Sequence, residues 1–257
     1  MSAALIGHEV RALLRARRTR LAIGIVLYAV IGAPFLLARP PPHVAAAASE
    51  WFHASDPAFA LFLFVWTDLA LNKLAAVLGV VLAGGIVREE QARGLLPLLW
   101  AKPITPARYF LSKLAAAAIV FAMLLGGAAL LGLAVFPSQV AGFRPGPFLV
   151  VSGVHLLGAL FAVVLSATVA VLVPRRLTAM LISLMILLLL VGSAFIGFYN
   201  PAWADYAIIN PFYHSVWLLG VIDDLSLAHV LRPIGILLVV HTIVVAIGVA
   251  AVRRIEP

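Results

Sequence analysis

The side chains able to do chemistry fall in three places. Glu89 and Glu90 stand between Arg88 and Arg93 at the head of the run REEQARGLLPLLWAKPITPARYFLSK, residues 88–113. Asp68, Lys73 and His241 sit inside long apolar runs. Asp205, His214, Asp223, Asp224 and His229 share the stretch 199–231, YNPAWADYAIINPFYHSVWLLGVIDDLSLAHVL. Carboxylates beside cations can carry protons, hold ions or make structural pairs, and in an apolar chain each is a functional candidate. Spacing narrows the choice. HEVR at 8–11 has the His-Glu of a zinc-binding helix but not the second His one turn on. The Asp/His stretch lacks metal-ligand spacing. Cysteine is absent, which excludes disulfides, thiolate nucleophiles and thiolate metal sites. No G-x-x-x-x-G-K-[ST] loop is present to cradle nucleotide phosphates. The chain is therefore expected to be non-catalytic itself, with no cofactor or metal of its own.

The elements that must position these residues are read from composition. The chain has 257 residues, 64% hydrophobic and only 11% charged, against about 25% charged in a soluble domain. This points to an all-α, multi-pass membrane protein forming a single transmembrane domain over 1–257. The net charge of +8 then reads as juxtamembrane charge facing acidic lipid rather than as a nucleic-acid footprint. Six stretches are long and apolar enough to span: about 20–38, 65–88, 109–135, 148–173, 177–198 and 232–252. Arg17-Arg18 ahead of an apolar run and AAAAS can imitate a twin-arginine signal peptide, but the expectation is an uncleaved first span.

Lysine and arginine set the orientation. Arg11, Arg15, Arg17, Arg18 and Arg20, then Arg88, Arg93, Lys102, Arg108 and Lys113, then Arg175 and Arg176, and last Arg253 and Arg254 fall on one side. That is fourteen of the eighteen basic residues, so that side and both termini are expected in the cytoplasm, with the chain in the cytoplasmic (inner) membrane. Residues 3–18 repeat Ile6, Val10, Leu13 and Leu14 at helical spacing beside a stripe of Arg11, Arg15 and Arg18. They read as an amphipathic helix in the membrane interface. The outer stretch 199–231 carries Trp203, Tyr206, Phe212, Tyr213 and Trp217, with two Asn-Pro pairs. Short helices dipping into the headgroup layer fit it better than another span.

Local physics accounts for part of 88–113. Gly94 suits a C-terminal helix cap. Thr105-Pro106 is an N-cap followed by proline at the first helical position. Glu89 and Arg93 are spaced for a helical ion pair. Two carboxylates at a helix C-terminus, however, oppose the helix dipole. The five large apolar residues of LLPLLW have no span to justify them on that side. A short helix starting near Leu95 and ending at Pro103 would lie along the membrane surface.

The acidic pair Glu89-Glu90, Gly94, the leucine-rich turn, Pro103, Tyr109 and Lys113 together resemble the permease subunits of type 2 ATP-binding-cassette (ABC) exporters. Two departures stand out: Leu95 occupies a position where that family usually has Thr, and Pro97 is inserted. The interfacial N-terminal helix, the six spans and the helical outer segment before the last one extend the resemblance over the chain. It implies an export permease working as a dimer, a homodimer when the other half is a second copy of the chain. It implies two separate cytoplasmic ATPase subunits that bind ATP and Mg. It also implies that a coupling segment, 89–108, meets the ATPase, with Glu89, Glu90, Arg93, Gly94, Leu98, Leu99, Trp100 and Lys102 as its contact residues. EEQAR is also similar to the E-E-x-x-x-R run of intramembrane CAAX-type proteases, but its Arg comes one residue early and no paired-His segment follows.

Asp68, Lys73 and His241 remain as pathway or gating candidates. Counted from Arg88 at 1.5 Å per residue, Lys73 lies about 22 Å and Asp68 about 30 Å in, so both can reach the far interface. Five residues apart, they are poorly placed to pair on an α-helix. His241 falls near mid-membrane, where hydrogen bonding to another helix is the structural expectation. Ala115 to Ala118 with Gly126 and Gly127 would permit close helix packing. The rival function is a secondary transporter or channel independent of ATP, for which internal repeats and broken spans would be the sign.

Overall fold

The computed structural model describes residues 3–37, 43, 46, 50, 52, 54–94, 97, 104–196 and 201–255. It is all-α, 84% helical, with no strand among the described residues. Helix α1, Ala3–Arg15, is the amphipathic segment. It ends short of the expected residue 18, because the chain bends at Ala16 before α2, Arg17–Leu37, begins. Val10, Leu13 and Leu14 turn inward onto the core.

Five helical stretches among the described residues have the length and composition to cross a membrane: Pro57–Ala92, Pro106–Ser138, Pro145–Leu172, Arg176–Ser193 and Leu227–Val252. The first expected span, 20–38, falls on α2, a 21-residue helix outside those five. The second stretch begins well before the expected residue 65. Asp56 accepts from the backbone N–H groups of Ala58 and Phe59, both at 3.1 Å, and Pro57 takes the first helical position. That cap starts helix α3, Pro57–Phe64. A π-helical segment, Val65–Asn72, follows, then α4, Lys73–Ala83. A turn over 84–87 separates α4 from α5, Arg88–Ala92.

Helix α6, Pro106–Val135, starts where Thr105 accepts from the Arg108 N–H at 3.3 Å. Helix α7, Pro145–Leu172, again has proline in its first turn, and α8 is Arg176–Ser193. Short pieces follow, including α9, Ala204–Ala207, and α10, Tyr213–Trp217. Asn210 holds them to α8: its Nδ2 donates to the Leu190 carbonyl at 2.6 Å, and its Oδ1 accepts from the Phe212 N–H at 3.0 Å. Ser226 and His229 form a capping box that opens α11, Leu227–Val252.

Helix α7 is the centre, packed against α4, α6, α8 and α11. Close approach to α4 is possible because residue 79 is glycine: a Cβ there would lie 2.6 Å from the Ala162 carbonyl carbon. At one end of the bundle Phe62, Trp66, Phe136, Phe143 and Phe148 form an aromatic plug, with Phe62 and Phe136 edge to face at 4.9 Å. The Trp66 Nε1–H donates to Ser152 Oγ at 3.2 Å. Buried rings of this size supply most of the packing contact there.

Candidate functional site

The charged run is drawn into one cluster where α1, α5, α6 and α8 meet. Lys113, on the second turn of α6, is its hub. Its Nζ lies 2.9 Å from Glu9 Oε2 on α1 and 2.5 Å from Glu90 Oε1 on α5. It also sits over the Tyr109 ring, 5.5 Å from the centroid. Lys113 is 9% exposed, so the ammonium is held by two carboxylates and a ring face in place of water. Glu89 takes a different set of cations. It pairs with Arg93 at 3.0 Å, Arg18 at 3.7 Å and Arg176 at 3.9 Å. The acids, Arg18, Arg93 and Lys113 border a cavity of about 360 Å³ beside His8 and Leu13.

Arg88 supplies a different function. Its Nε donates to the carbonyls of Ala170 and Val173, each at 3.0 Å, and its Nη2 to that of Val171 at 2.6 Å. Those carbonyls belong to the C-terminal end of α7, where helix geometry leaves acceptors without intrahelical donors and the dipole favours a cation. Beyond Arg93, Gly94 adopts the left-handed conformation, φ +67°, expected of a C-terminal cap. The acidic pair thus sits in the first turn of a new short helix, α5, rather than at the end of a long one. The turn at 84–87 changes the sign of the dipole argument: carboxylates at a helix start are favourable.

Leu98, Leu99, Trp100 and Lys102, expected to contact a partner, lie outside the described residues. Glu89, Glu90 and Arg93 are gathered in the cluster, and Gly94 caps beside it. The sequence alone assigns no role to Glu9, to Arg18 as a partner of Glu89, or to the capping by Arg88. Glu9 is the lone acid of α1, and an acid on a basic interfacial helix is the one signal that points to it.

Asp68 and Lys73 correct the sequence reading: they pair, Nζ to Oδ2, at 3.1 Å. The reason is the π-helical segment, whose i→i+5 geometry brings residues five apart onto one face. Asn72 adds a contact to Asp68 Oδ1 at 3.4 Å. His241 also differs from expectation. Its Nδ1 meets the Leu237 carbonyl of its own helix at 2.6 Å, and its ring packs edge-on against Phe161 of α7 at 5.8 Å. It makes no hydrogen bond to another helix among the described residues. Neither it nor the Asp68–Lys73 pair borders the Lys113 cluster.

The ends of the bundle are distinguished by contacts along α11. Thr168 donates to the Val244 carbonyl at 3.1 Å, and a Cβ at Gly248 would meet the Phe110 ring at 2.7 Å. So α11 finishes at the Lys113 end. At the opposite end Asp223 pairs with Arg144 at 2.7 Å and accepts from the Ser55 N–H. The Ser55 N–H, with Arg144, holds the Asp223 carboxyl below its ordinary range. No protein-family model and no curated protein matches this chain.

Proposed function

We propose that the chain is the transmembrane permease subunit of an ABC exporter. It works as a dimer of six-span subunits, with ATP and Mg bound on two separate ATPase chains at the Lys113 end. Closure of the ATPases presses on the segment after Gly94 and switches access between the two sides of the cytoplasmic membrane. The observation that carries this reading is the clamp at Lys113. It joins α5, which leads directly into that segment, to α1 through Glu9 and to its own span α6. Glu89 extends the connection to α2 through Arg18 and to α8 through Arg176. A push on residues 95–103 would be delivered into four helices at once.

The test is co-purification from a host expressing the neighbouring genes. An ATPase chain should accompany the protein, and the complex should hydrolyse ATP. Trp100→Ala should uncouple hydrolysis from transport while insertion stays intact. A purified complex with neither an ATPase chain nor ATP hydrolysis removes the reading. One observation favours a secondary transporter instead: an acid–base pair on a π-helical turn inside the second long helix. Transport sustained by an ion gradient alone, without ATP, would select that alternative.

A further inference from the structure

The Asp68–Lys73 pair lies deeper in the bundle than its place in the sequence suggests. The helical stretch that carries it begins at Pro57, not near residue 65. Asp56, which caps that start, belongs to the polar end of the bundle away from Lys113. A Cβ at Gly142 would run into its carboxylate, and the next residue back, Ser55, donates to Asp223. Counted along the helix at 1.5 Å per residue, Asp68 is about 18 Å inside Asp56, and Lys73 is about 15 Å short of the end of α4 at Ala83. A hydrocarbon core about 30 Å thick encloses both residues.

The two charges are not equally covered. The Asp68 side chain is 12% exposed, the Lys73 side chain 52%. Both Asp68 oxygens have donors: Oδ2 accepts from Lys73 Nζ at 3.1 Å and Oδ1 from Asn72 Nδ2 at 3.4 Å. The ammonium has three donors, and Asp68 is its one ion-pair partner among the described residues. The pair therefore buries its anion and presents its cation on the outside of the chain. Val77, one turn further, is the other exposed residue of α4. Hydrocarbon is a costly neighbour for an exposed ammonium. Snorkelling gives no relief, because the Asp68 contact holds the ammonium about 18 Å inside the polar end. The outward faces of α8 and α11 are different: Met185, Leu189, Val239 and Ile243 are all more than half exposed and all apolar, as lipid requires.

We propose that Lys73 and Val77 line a water-filled pathway through the membrane, and that the Lys73 ammonium contacts an anionic group of the transported solute, a carboxylate, phosphate or sulfate. The proposal names a substrate class for the permease and rests on that reading, but not on ATP as the source of energy. Phosphates of resident lipids stay in the headgroup layer, so the anion arrives with the solute. Asp68 orients the ammonium, and the donors it leaves free are the ones an anion takes up.

The chain has no cysteine, so Val77→Cys reports on this face without background. The full chain is reconstituted in liposomes and reacted from both sides with two membrane-impermeant methanethiosulfonates, the anionic sulfonatoethyl and the cationic trimethylammonioethyl reagent. Each rate is divided by that of a free thiol in water. Val77→Cys should react, with the anionic reagent favoured at least about fivefold. Met185→Cys and Val239→Cys, at positions no less exposed but facing lipid, should react at least about tenfold more slowly, since a thiolate does not form in hydrocarbon. The anionic preference should persist in Lys73→Arg. It should vanish in the double variant Asp68→Asn with Lys73→Gln, which removes both charges and strands neither. No reaction at Val77→Cys would mean that lipid or a second copy covers this face, and would overturn the proposal. So would reaction without the anionic preference, a preference that survives the double variant, or lipid-facing positions that react as fast. These rates do not depend on an ATPase partner, so a failure here leaves the ABC reading standing, and a failed co-purification leaves the pathway standing.

Discussion

At the residue scale, Lys113 and His214 show opposite ways of burying a titratable group. Lys113 keeps its charge company with two carboxylates, and removing it would strand both. Lys113→Met is expected to lower the free energy of unfolding by about 3–5 kcal/mol, as for a buried ion pair that loses one partner. Adding Glu9→Gln and Glu90→Gln to that variant should recover most of the loss. Arg93 is 65% exposed in its pair with Glu89, so Arg93→Ala should change stability by less than about 1 kcal/mol. Denaturant titration of the purified protein checks all three, and a Lys113→Met variant as stable as the parent would show the clamp to be incidental. His214 instead stays neutral. Its folded-state pKa, about 4, lies below the ordinary 6.5, so the unfolded chain takes up the proton first as pH falls. Its stabilising contribution is full above pH 6.5 and is lost progressively down to about 4. The Asp223 carboxyl, also held low, works in the same direction in the more acidic range. Melting temperatures between about pH 7.5 and 4 should fall in the parent and fall less in His214→Gln. Parallel curves would mean that His214 titrates alike in both states.

At the element scale, what the sequence makes legible is punctuation. Thr105-Pro106 and Gly94 do in the structure what their types require, since a cap depends on neighbours in the chain. The partners of Glu89 and Glu90, Arg93 apart, are not legible. Arg18, Arg176, Glu9 and Lys113 come from helices distant in sequence, and periodicity says nothing about which helices meet. The Asp68–Lys73 pair escapes for another reason. Spacing rules assume 3.6 residues per turn, and a π-helical segment changes which side chains share a face. Helix contacts also separate glycines that look alike in the sequence. Gly79 faces the Ala162 backbone, which cannot yield, whereas a Cβ at Gly127 would have nothing within 4 Å. Gly79→Val is expected to destabilise by about 1–3 kcal/mol through overpacking. Gly127→Ala should gain up to about 1 kcal/mol from helix propensity. The same unfolding titration checks both, and equal effects at the two positions would contradict the α4–α7 packing.

At the scale of the whole molecule, the charge pattern and the helix packing make separate statements about which groups share an end. Packing puts the end of α11 beside Phe110 and α1 beside Lys113. It therefore gathers Arg93, Arg176 and Arg254 at one end, with Gln139, Arg144 and Asp224 at the other. The charge rule adds that the arginine-rich end faces the cytoplasm. The absence of cysteine makes this directly measurable. Single substitutions Arg93→Cys, Arg254→Cys, Gln139→Cys and Asp224→Cys place one thiol each at exposed positions. In intact cells a membrane-impermeant maleimide should label residues 139 and 224 and reach 93 and 254 only after permeabilisation. The inverse pattern would preserve the packing but place the Lys113 clamp outside the cell, away from any ATPase. A mixed pattern within either pair would break the packing itself, because no rigid rotation of the bundle in the membrane can separate two groups held at the same end.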